Sequence, residues 1–290
     1  MRNAELNGRP VGVHVSIAGR LQNAVDRAIE VGCNRTFQIF TCSPQRWAAN
    51  PIVDQDAEQF REKVIRNDFV PFCHMPYLPN FCSPDQTVYS QSTKVLIREV
   101  KRCAQLGIRS LVLHFGSHVG TSVADGHRRL VDACVACLRE TSGLNVRLLL
   151  ENSAGIKNSV GSDFNYIRGV LDRIGNEDRT GVCFDTCHAF ASGYDLSSEK
   201  AVVETMDEFD SVVGAEKLKL IHLNDSKAEL GGASDRHENI GQGKIGMAGL
   251  KALLGLKRYA AVPIILETPI RREGDDKMNL EAAKSLLRRR

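Results

Sequence analysis

The chain has 290 residues, 42% of them hydrophobic and 25% charged, with a formal net charge of +3. That length suits one large α/β domain better than two, and no apolar run approaches the roughly 18 residues of a membrane span, so fibrous, low-complexity and membrane-spanning classes are excluded. The 9 cysteines are an odd number, and the polar stretch Met1–Pro10 lacks the apolar segment of a secretory signal. The thiols are therefore expected to be reduced and the protein intracellular, in the cytoplasm or, in a eukaryote, the nucleus.

Short apolar, β-rich runs alternate with helical ones along the whole chain. The predicted strands are Val11–Val15, Thr36–Phe40, Val70–His74, Leu111–His114, Arg147–Glu151, Gly181–Asp185, Lys219–Leu223 and Pro263–Glu267. Helical periodicity is expected over Leu21–Val31, Asp54–Arg66, Ser90–Leu106, Ala124–Glu140, Phe164–Ile174, Ser198–Val213, Met247–Leu254 and Leu280–Arg289. Eight βα units predict a (β/α)8 TIM barrel, one domain over residues 1–290, with its active site at the carboxyl ends of the strands. Gly32, Gly107, Gly143, Gly175 and Gly214 are expected to end helices. Two loops stand out by length, Met75 to Tyr89 and Leu223 to Ile245, and long loops after barrel strands carry binding function.

Six of these strands run straight into an ionisable residue: His74, His114, Glu151, Asp185, His222 and Glu267. Buried charge accumulates in one place only when it is paired or coordinates metal. His188 follows Asp185 by three residues, and Asp235 and His237, spaced i and i+2 in the second long loop, can chelate one ion if the segment is extended. Five histidines and four carboxylates favour zinc, with manganese or iron as alternatives, over magnesium or calcium. At three or four ligands per ion with one bridging carboxylate, the set fits three ions. Clustered divalent ions point to phosphate-ester hydrolysis, where they clamp the attacking and leaving oxygens and acidify water.

Other patterns read as ordinary structure. Cys134-Val-Ala-Cys137 lies on an apolar helix face with no second cysteine pair at zinc spacing, and Cys183 and Cys187 are expected to pack. Gly241-Gln-Gly-Lys-Ile-Gly246 matches a dinucleotide fingerprint, but it follows a polar loop instead of the first strand of a βαβ unit. The basic clusters His127-Arg128-Arg129, Arg271-Arg272 and Arg288-Arg289-Arg290 would suit a polyanion, but a solvated face or a frayed basic tail is the plainer explanation of any one of them.

The chain resembles the endonuclease IV family of abasic-site endonucleases over almost its whole length. The segments that carry the resemblance are Gly12-Val-His-Val-Ser-Ile-Ala-Gly19, His74-Met-Pro-Tyr-Leu78, His114-Phe-Gly-Ser-His118, Leu150-Glu-Asn-Ser153, Cys183-Phe-Asp-Thr-Cys-His-Ala-Phe190, Gly193-Tyr-Asp195, His222-Leu-Asn-Asp-Ser226, Asp235-Arg-His237, Gly241-Gln-Gly-Lys-Ile-Gly246 and Leu266-Glu-Thr268. The resemblance implies that His74 and His114 hold a first zinc ion, that Glu151 bridges it to a second completed by Asp185, His222 and Glu267, and that His188, Asp235 and His237 hold a third. It implies a monomer that cleaves the phosphodiester 5′ to an abasic site in double-stranded DNA, leaving a 3′-hydroxyl and a 5′-deoxyribose phosphate, and that trims blocked 3′ ends. Glu151 and Glu267 would be the catalytic carboxylates. Tyr77 and Leu78 match a pair that enters the DNA gap left by the flipped sugar; packing of the loop on the barrel would explain them equally well.

The chain departs from the family in three places. An inserting arginine in an Asn-x-Arg-x-Trp pattern is replaced by Cys42-Ser-Pro-Gln-Arg-Trp47, so that Gln45 holds the position with Arg46 beside it. Phe115 stands where proline is common and Arg20 where glycine is common, both expected near the mouth. Two other functions compete. A sugar isomerase or epimerase on the same barrel would need Glu151, Asp185, His222 and Glu267, but not His74, His114, Asp235 and His237. A catalytically silent DNA-binding barrel would have lost ligands.

Overall fold

A computed structural model describes residues 8–288. Most of the segment Met1–Pro10 lies outside these residues, as do Arg289 and Arg290, the end of the last predicted helix and basic cluster. In chain order the elements are β1 (Val11–Val13), α1 (Asn23–Val31), β2 (Thr36–Ile39), α2 (Asp54–Arg66), β3 (Val70–His74), α3 (Gln86–Leu106), β4 (Ser110–His114), α4 (Val123–Glu140), β5 (Arg147–Glu151), α5 (Phe164–Ile174), β6 (Thr180–Asp185), α6 (Thr186–Ser192), α7 (Glu199–Val212), β7 (Leu218–His222), β8 (Asp225–Ser226), β9 (His237–Glu238), α8 (Gly246–Gly255), β10 (Ile264–Leu266) and α9 (Asp275–Leu287). Eight of the strands form one parallel sheet in the order β1-β10-β7-β6-β5-β4-β3-β2. The ring is closed between β1 and β2 by a single parallel bridge, His14 to Gln38. There the Val15 amide donates to the Gln38 carbonyl at 2.8 Å. Gly12 is required at this seam, because a Cβ would collide with the Thr36 carbonyl.

The strands are short, apolar and buried on both faces, as parallel strands under helices must be. Two apolar layers result. One fills the space between sheet and helices, with Phe37, Phe60, Leu113, Phe164, Phe184 and Phe209 among its large members. The other plugs the barrel and consists of Phe72, Val112, Leu149, Cys183, Leu220 and Ile265. No helix among the described residues is long and apolar enough to cross a membrane.

The barrel is as predicted, and its boundaries differ where local capping decides them. α3 starts at Gln86 because the Asp85 side chain accepts from the Thr87 and Val88 amides. α9 starts at Asp275, before the predicted Leu280, after Gly274 in left-handed geometry. Gly32, Gly107 and Gly175 cap α1, α3 and α5 at positive φ. Gly143 does not cap, since α4 ends on Thr141, and Gly214 sits one residue beyond the Val213 cap of α7. The two-residue hairpin β8–β9 and the short helix α6 had no periodic signal.

Candidate metal centre at the barrel mouth

Strand alternation builds the site. Each plug residue has an ionisable side chain two positions further on, at the carboxyl end of the same strand or, for Glu267, one residue past it: Phe72 and His74, Val112 and His114, Leu149 and Glu151, Cys183 and Asp185, Leu220 and His222, Ile265 and Glu267. Period-2 geometry aims both members of a pair into the barrel, so the apolar plug is the floor of the site. β1 and β2 complete the ring with His14 and Gln38, which the sequence analysis did not assign. Their signal was the same alternation, His14 two beyond Gly12 and Gln38 two beyond Thr36. His188 comes from the first turn of α6, whose N-cap is Asp185, with the Asp185 carboxylate accepting from the His188 amide at 2.8 Å. The loop around β8 and β9 supplies Asp235 and His237.

All nine predicted ligands converge. Glu151, fully buried, lies 3.1 Å from His74 Nε2, 3.6 Å from His114 Nδ1 and 3.0 Å from His222 Nδ1. His222 Nδ1 is also 3.2 Å from Glu267. Asp235 Oδ1 lies 3.1 Å from His188 Nε2 and 3.4 Å from His237 Nε2, and Asp185 lies 3.6 Å from His237 Nε2. Groups compact enough to hold an ion include His74, His114 and Glu151; Glu151, Asp185, His222 and Glu267; and Asp185, His188 and His237. Asp185 thus stands between two groups, where it was expected to serve one.

Outer hydrogen bonds orient the rings. Nδ1 of His74, His188 and His237 lies 2.8, 3.0 and 2.8 Å from the carbonyls of Met75, Asn152 and Glu267. A carbonyl can only accept, so Nδ1 carries a proton in each, and Nε2, facing the carboxylates, is the atom left to take a metal ion or, without one, a second proton. The His222 ring reverses this, with Nε2 3.0 Å from Gln38 Oε1 and Nδ1 inward. Gln38 Nε2 donates to Glu267 at 2.6 Å. Asn224 donates to Asp185 at 2.7 Å and accepts from the Glu267 amide at 2.8 Å. Buried Nε2 atoms of His188 and His237 have no hydrogen-bond partner although carboxylates face them. Nitrogen and oxygen atoms that approach each other without hydrogen-bond geometry, on rings whose other nitrogen is held, fit divalent ions of the zinc type.

Charge balance in the metal-free site falls to protons. Burial disfavours the His188 cation, yet Asp185, Asp235 and Glu151 override it and push the pKa up to about 10. His222 rises well above its ordinary value, against burial, through Cys183, Glu267 and Glu151. Burial lowers His114. Burial alone would raise Glu151 and Glu267, but the surrounding histidines hold both well below the usual carboxylate range.

The rim carries the remaining candidates. Tyr77 and Leu78 are 63% and 38% exposed, which argues against their being packing residues. They line a cavity of about 380 Å³ that reaches His114, His188 and Asp235. Tyr77 also borders a second cavity of about 440 Å³ over His14, His74 and Glu267. Gln45 and Arg46 are exposed on the loop after β2, and that loop is tied to the next one by the Tyr77 amide donating to the Pro44 carbonyl at 3.0 Å. Phe115, expected near the mouth, is fully buried and packs on Gly161 instead. Arg20 is exposed.

The patterns read as structure behave so. Cys134 and Cys137 are buried on α4, and Cys183 belongs to the barrel plug. The glycine loop at 241–246 wraps an internal anion: the buried Asp225 carboxylate accepts from the amides of Ser226, Gly243, Ile245 and Gly246 at 2.8 to 3.3 Å. A Cβ at Gly243 would press on that carboxylate. Arg129 is spent on the Cys82 carbonyl and Arg271 on Glu238.

Residues 25–290 match the family described as a xylose isomerase-like TIM barrel. A protein of the archaeon Nitrosopumilus maritimus named "Probable endonuclease 4" is 44% identical over 277 residues, covering 94% of this chain and 98% of that protein. The crystal structure of endonuclease IV from Thermus thermophilus superposes with a TM-score of 0.84 at 32% identity, over 96% of this chain and 98% of that one. A D-tagatose 3-epimerase-like protein shares the fold alone, with a TM-score of 0.73 at 16% identity over 95% of this chain and 97% of that one. With its barrel, its mouth of histidines and carboxylates and these relatives, the chain belongs to the endonuclease IV family of deoxyribonuclease IV-type hydrolases.

Proposed function

We propose that this chain is a single-domain, monomeric DNA repair endonuclease of base excision repair, dependent on three zinc ions, with manganese an alternative at one position. It hydrolyses the phosphodiester 5′ to an abasic site in double-stranded DNA, leaving a 3′-hydroxyl and a 5′-deoxyribose phosphate, and trims blocked 3′ ends. The observation that carries this reading is the cluster of His188, Asp235 and His237, with two buried, partnerless imidazole nitrogens facing carboxylates beside the Glu151 group. A sugar epimerase polarising one carbonyl has no use for that extra cluster or for His74 and His114. The nine unpaired cysteines support an intracellular setting, in the cytoplasm or a nucleus.

In this reading His74, His114 and Glu151 hold the first ion, Glu151, Asp185, His222 and Glu267 the second, and His188, Asp235 and His237 the third. Bound zinc supplies Lewis acidity at the scissile phosphate and lowers the pKa of water towards neutrality. The chain supplies orientation. Backbone carbonyls and Gln38 lock the imidazole tautomers, and Glu151 shares its two oxygens between His74 and His222. The apolar plug below the ligands excludes water from the floor. Tyr77, Leu78 and Gln45 or Arg46 fill the duplex gap when the sugar leaves the stack, and hold the phosphate against the mouth.

The deciding experiment is incision of a duplex with one stable abasic-site analogue by zinc-loaded protein, with Glu267→Gln as the contamination control. A single nick 5′ to the lesion, absent in the variant, is the expected result. Full activity of the variant would refute the ligand assignment. No nick from folded protein carrying three ions would turn the search to sugar phosphates.

A further inference from the structure

The loop from Phe40 to Val53 has no regular secondary structure, and its internal backbone bond among the described residues is Arg46 N–H to the Ser43 carbonyl at 3.4 Å. Such a loop would be loose by itself, yet it carries Gln45 and Arg46. Its order comes from α3. Arg98 donates to the Trp47 carbonyl at 2.6 Å, and Arg102 donates to the carbonyls of Thr41 at 2.5 Å and Asn50 at 2.8 Å. Both arginines are organised by Glu99, which is fully buried. Glu99 accepts from Arg98 Nε at 2.8 Å and from the Thr41 hydroxyl, which itself accepts from Arg102 Nε at 2.8 Å. Neither the metal ligands nor the barrel plug uses this network.

A buried carboxylate between two arginines is a weak device for raw stability, since an apolar replacement of equal volume often does as well. It is a strong device for geometry, because planar guanidinium groups bond carbonyls in fixed directions. Here those directions all point at the loop, on either side of Gln45 and Arg46. The held loop in turn accepts the Tyr77 amide on Pro44, so one anchor sets both rim loops.

We propose that Glu99, with Arg98 and Arg102, forms a positioning clamp that fixes the loop after β2 so that Gln45 and Arg46 meet DNA preorganised. This rests on the proposed nuclease reading for its substrate, though not for its geometry. The clamp works through the loop and touches no reacting atom. Its loss is therefore felt in substrate capture and not in the chemical step.

The test uses full-length, zinc-loaded protein in two variants, Glu99→Ala and the milder Arg98→Ala at a partly exposed position. The amides of Arg46 and Tyr77, which are bonded to carbonyls of this loop, should exchange about tenfold faster without DNA while the strand amides stay protected. On the abasic duplex KM should rise about tenfold with kcat at saturating DNA within about twofold and metal content unchanged. Glu99→Ala should cost clearly less in the Gln45→Ala/Arg46→Ala background than in the wild type, with the remainder falling on the Tyr77 loop, because residues acting through one another are non-additive. Full additivity, or a fall in kcat at constant KM, would overturn the proposal. If wild-type protein does not nick the duplex, the nuclease reading fails and exchange alone decides the clamp. Unchanged exchange in the loop then refutes it.

Discussion

Replacing Asp225 with asparagine tests whether the glycine-rich loop is held by an internal anion. The carboxylate is fully buried. Its Oδ1 accepts from Ser226 at 2.8 Å and Ile245 at 3.0 Å, its Oδ2 from Gly243 at 3.0 Å, and Gly246 is shared between the two at 3.3 and 3.2 Å. Asparagine can keep the Oδ1 bonds, but its NH2 group then faces the Gly243 and Gly246 amides, donor against donor. A hydrogen bond to a charged group nets about 1.5–3 kcal/mol, and a buried donor left unpaired costs about 1–3 kcal/mol, so the change should cost about 3–5 kcal/mol. Against a whole-domain stability of about 5–15 kcal/mol that is a large fraction. Urea denaturation of the metal-loaded variant should show a lower midpoint at unchanged slope. Because Ser226 pairs with His237 across β8 and β9, the loosened loop should also release metal from the cluster of His188, Asp235 and His237 before the others. A loss under about 1 kcal/mol would mean that the amides are satisfied without the charge and that the argument from donor count is wrong.

Tyr77→Ala should weaken binding to an abasic duplex by about 1–3 kcal/mol, the range for losing one aromatic–base stack, with metal content unchanged in elemental analysis. Equal affinity would return Tyr77 to a packing role. In the metal-free site the carboxylates hold His188 up to about 10 and His222 well above its usual value, so both favour a protonated form that zinc would have to displace. Titration calorimetry in buffers of different ionisation enthalpy should show proton release on loading, and apparent affinity should fall as pH falls. For the metal-free chain the sign runs the other way. The stability that His188 contributes is fully present below its ordinary 6.5 and is lost as pH rises through about 10. A buffer-independent heat would contradict this picture.

The strand-end candidate ligands were legible because two signals coincide, an apolar run and an ionisable stop, and strand parity then dictates which way the stop points. His14, just past β1, and Gln38, inside β2, obey the same parity but do not stand as an ionisable stop after a long apolar run, so they passed as ordinary residues until the closing bridge brought them beside Glu267. α6 could not be read because Asp185 ends a strand and caps a helix at once, and seven residues give no helical period. Phe115 shows the opposite failure. A departure from a family pattern beside a ligand looked like a change at the mouth, but the side chain points outward from the barrel interior and fills the space left by Gly161. Gly143 failed as a helix cap because Thr141 already ends α4. The Glu99 clamp could not be foreseen, since its loop partners lie 51 to 61 residues away in sequence and are mostly backbone carbonyls.

The bridge between His14 and Gln38 makes the barrel a hoop with a clasp. Each other seam of the ring is pinned by two or more registered pairs, whereas β1 meets β2 through one. One residue of the clasp, Gln38, also reaches across the mouth, to Glu267 on the β10 side and to His222 on β7. If ions fix Glu267 and His222 as proposed, Gln38 would be held in turn, so metal loading is expected to tighten the ring at this single-bridge seam and metal removal to loosen it there.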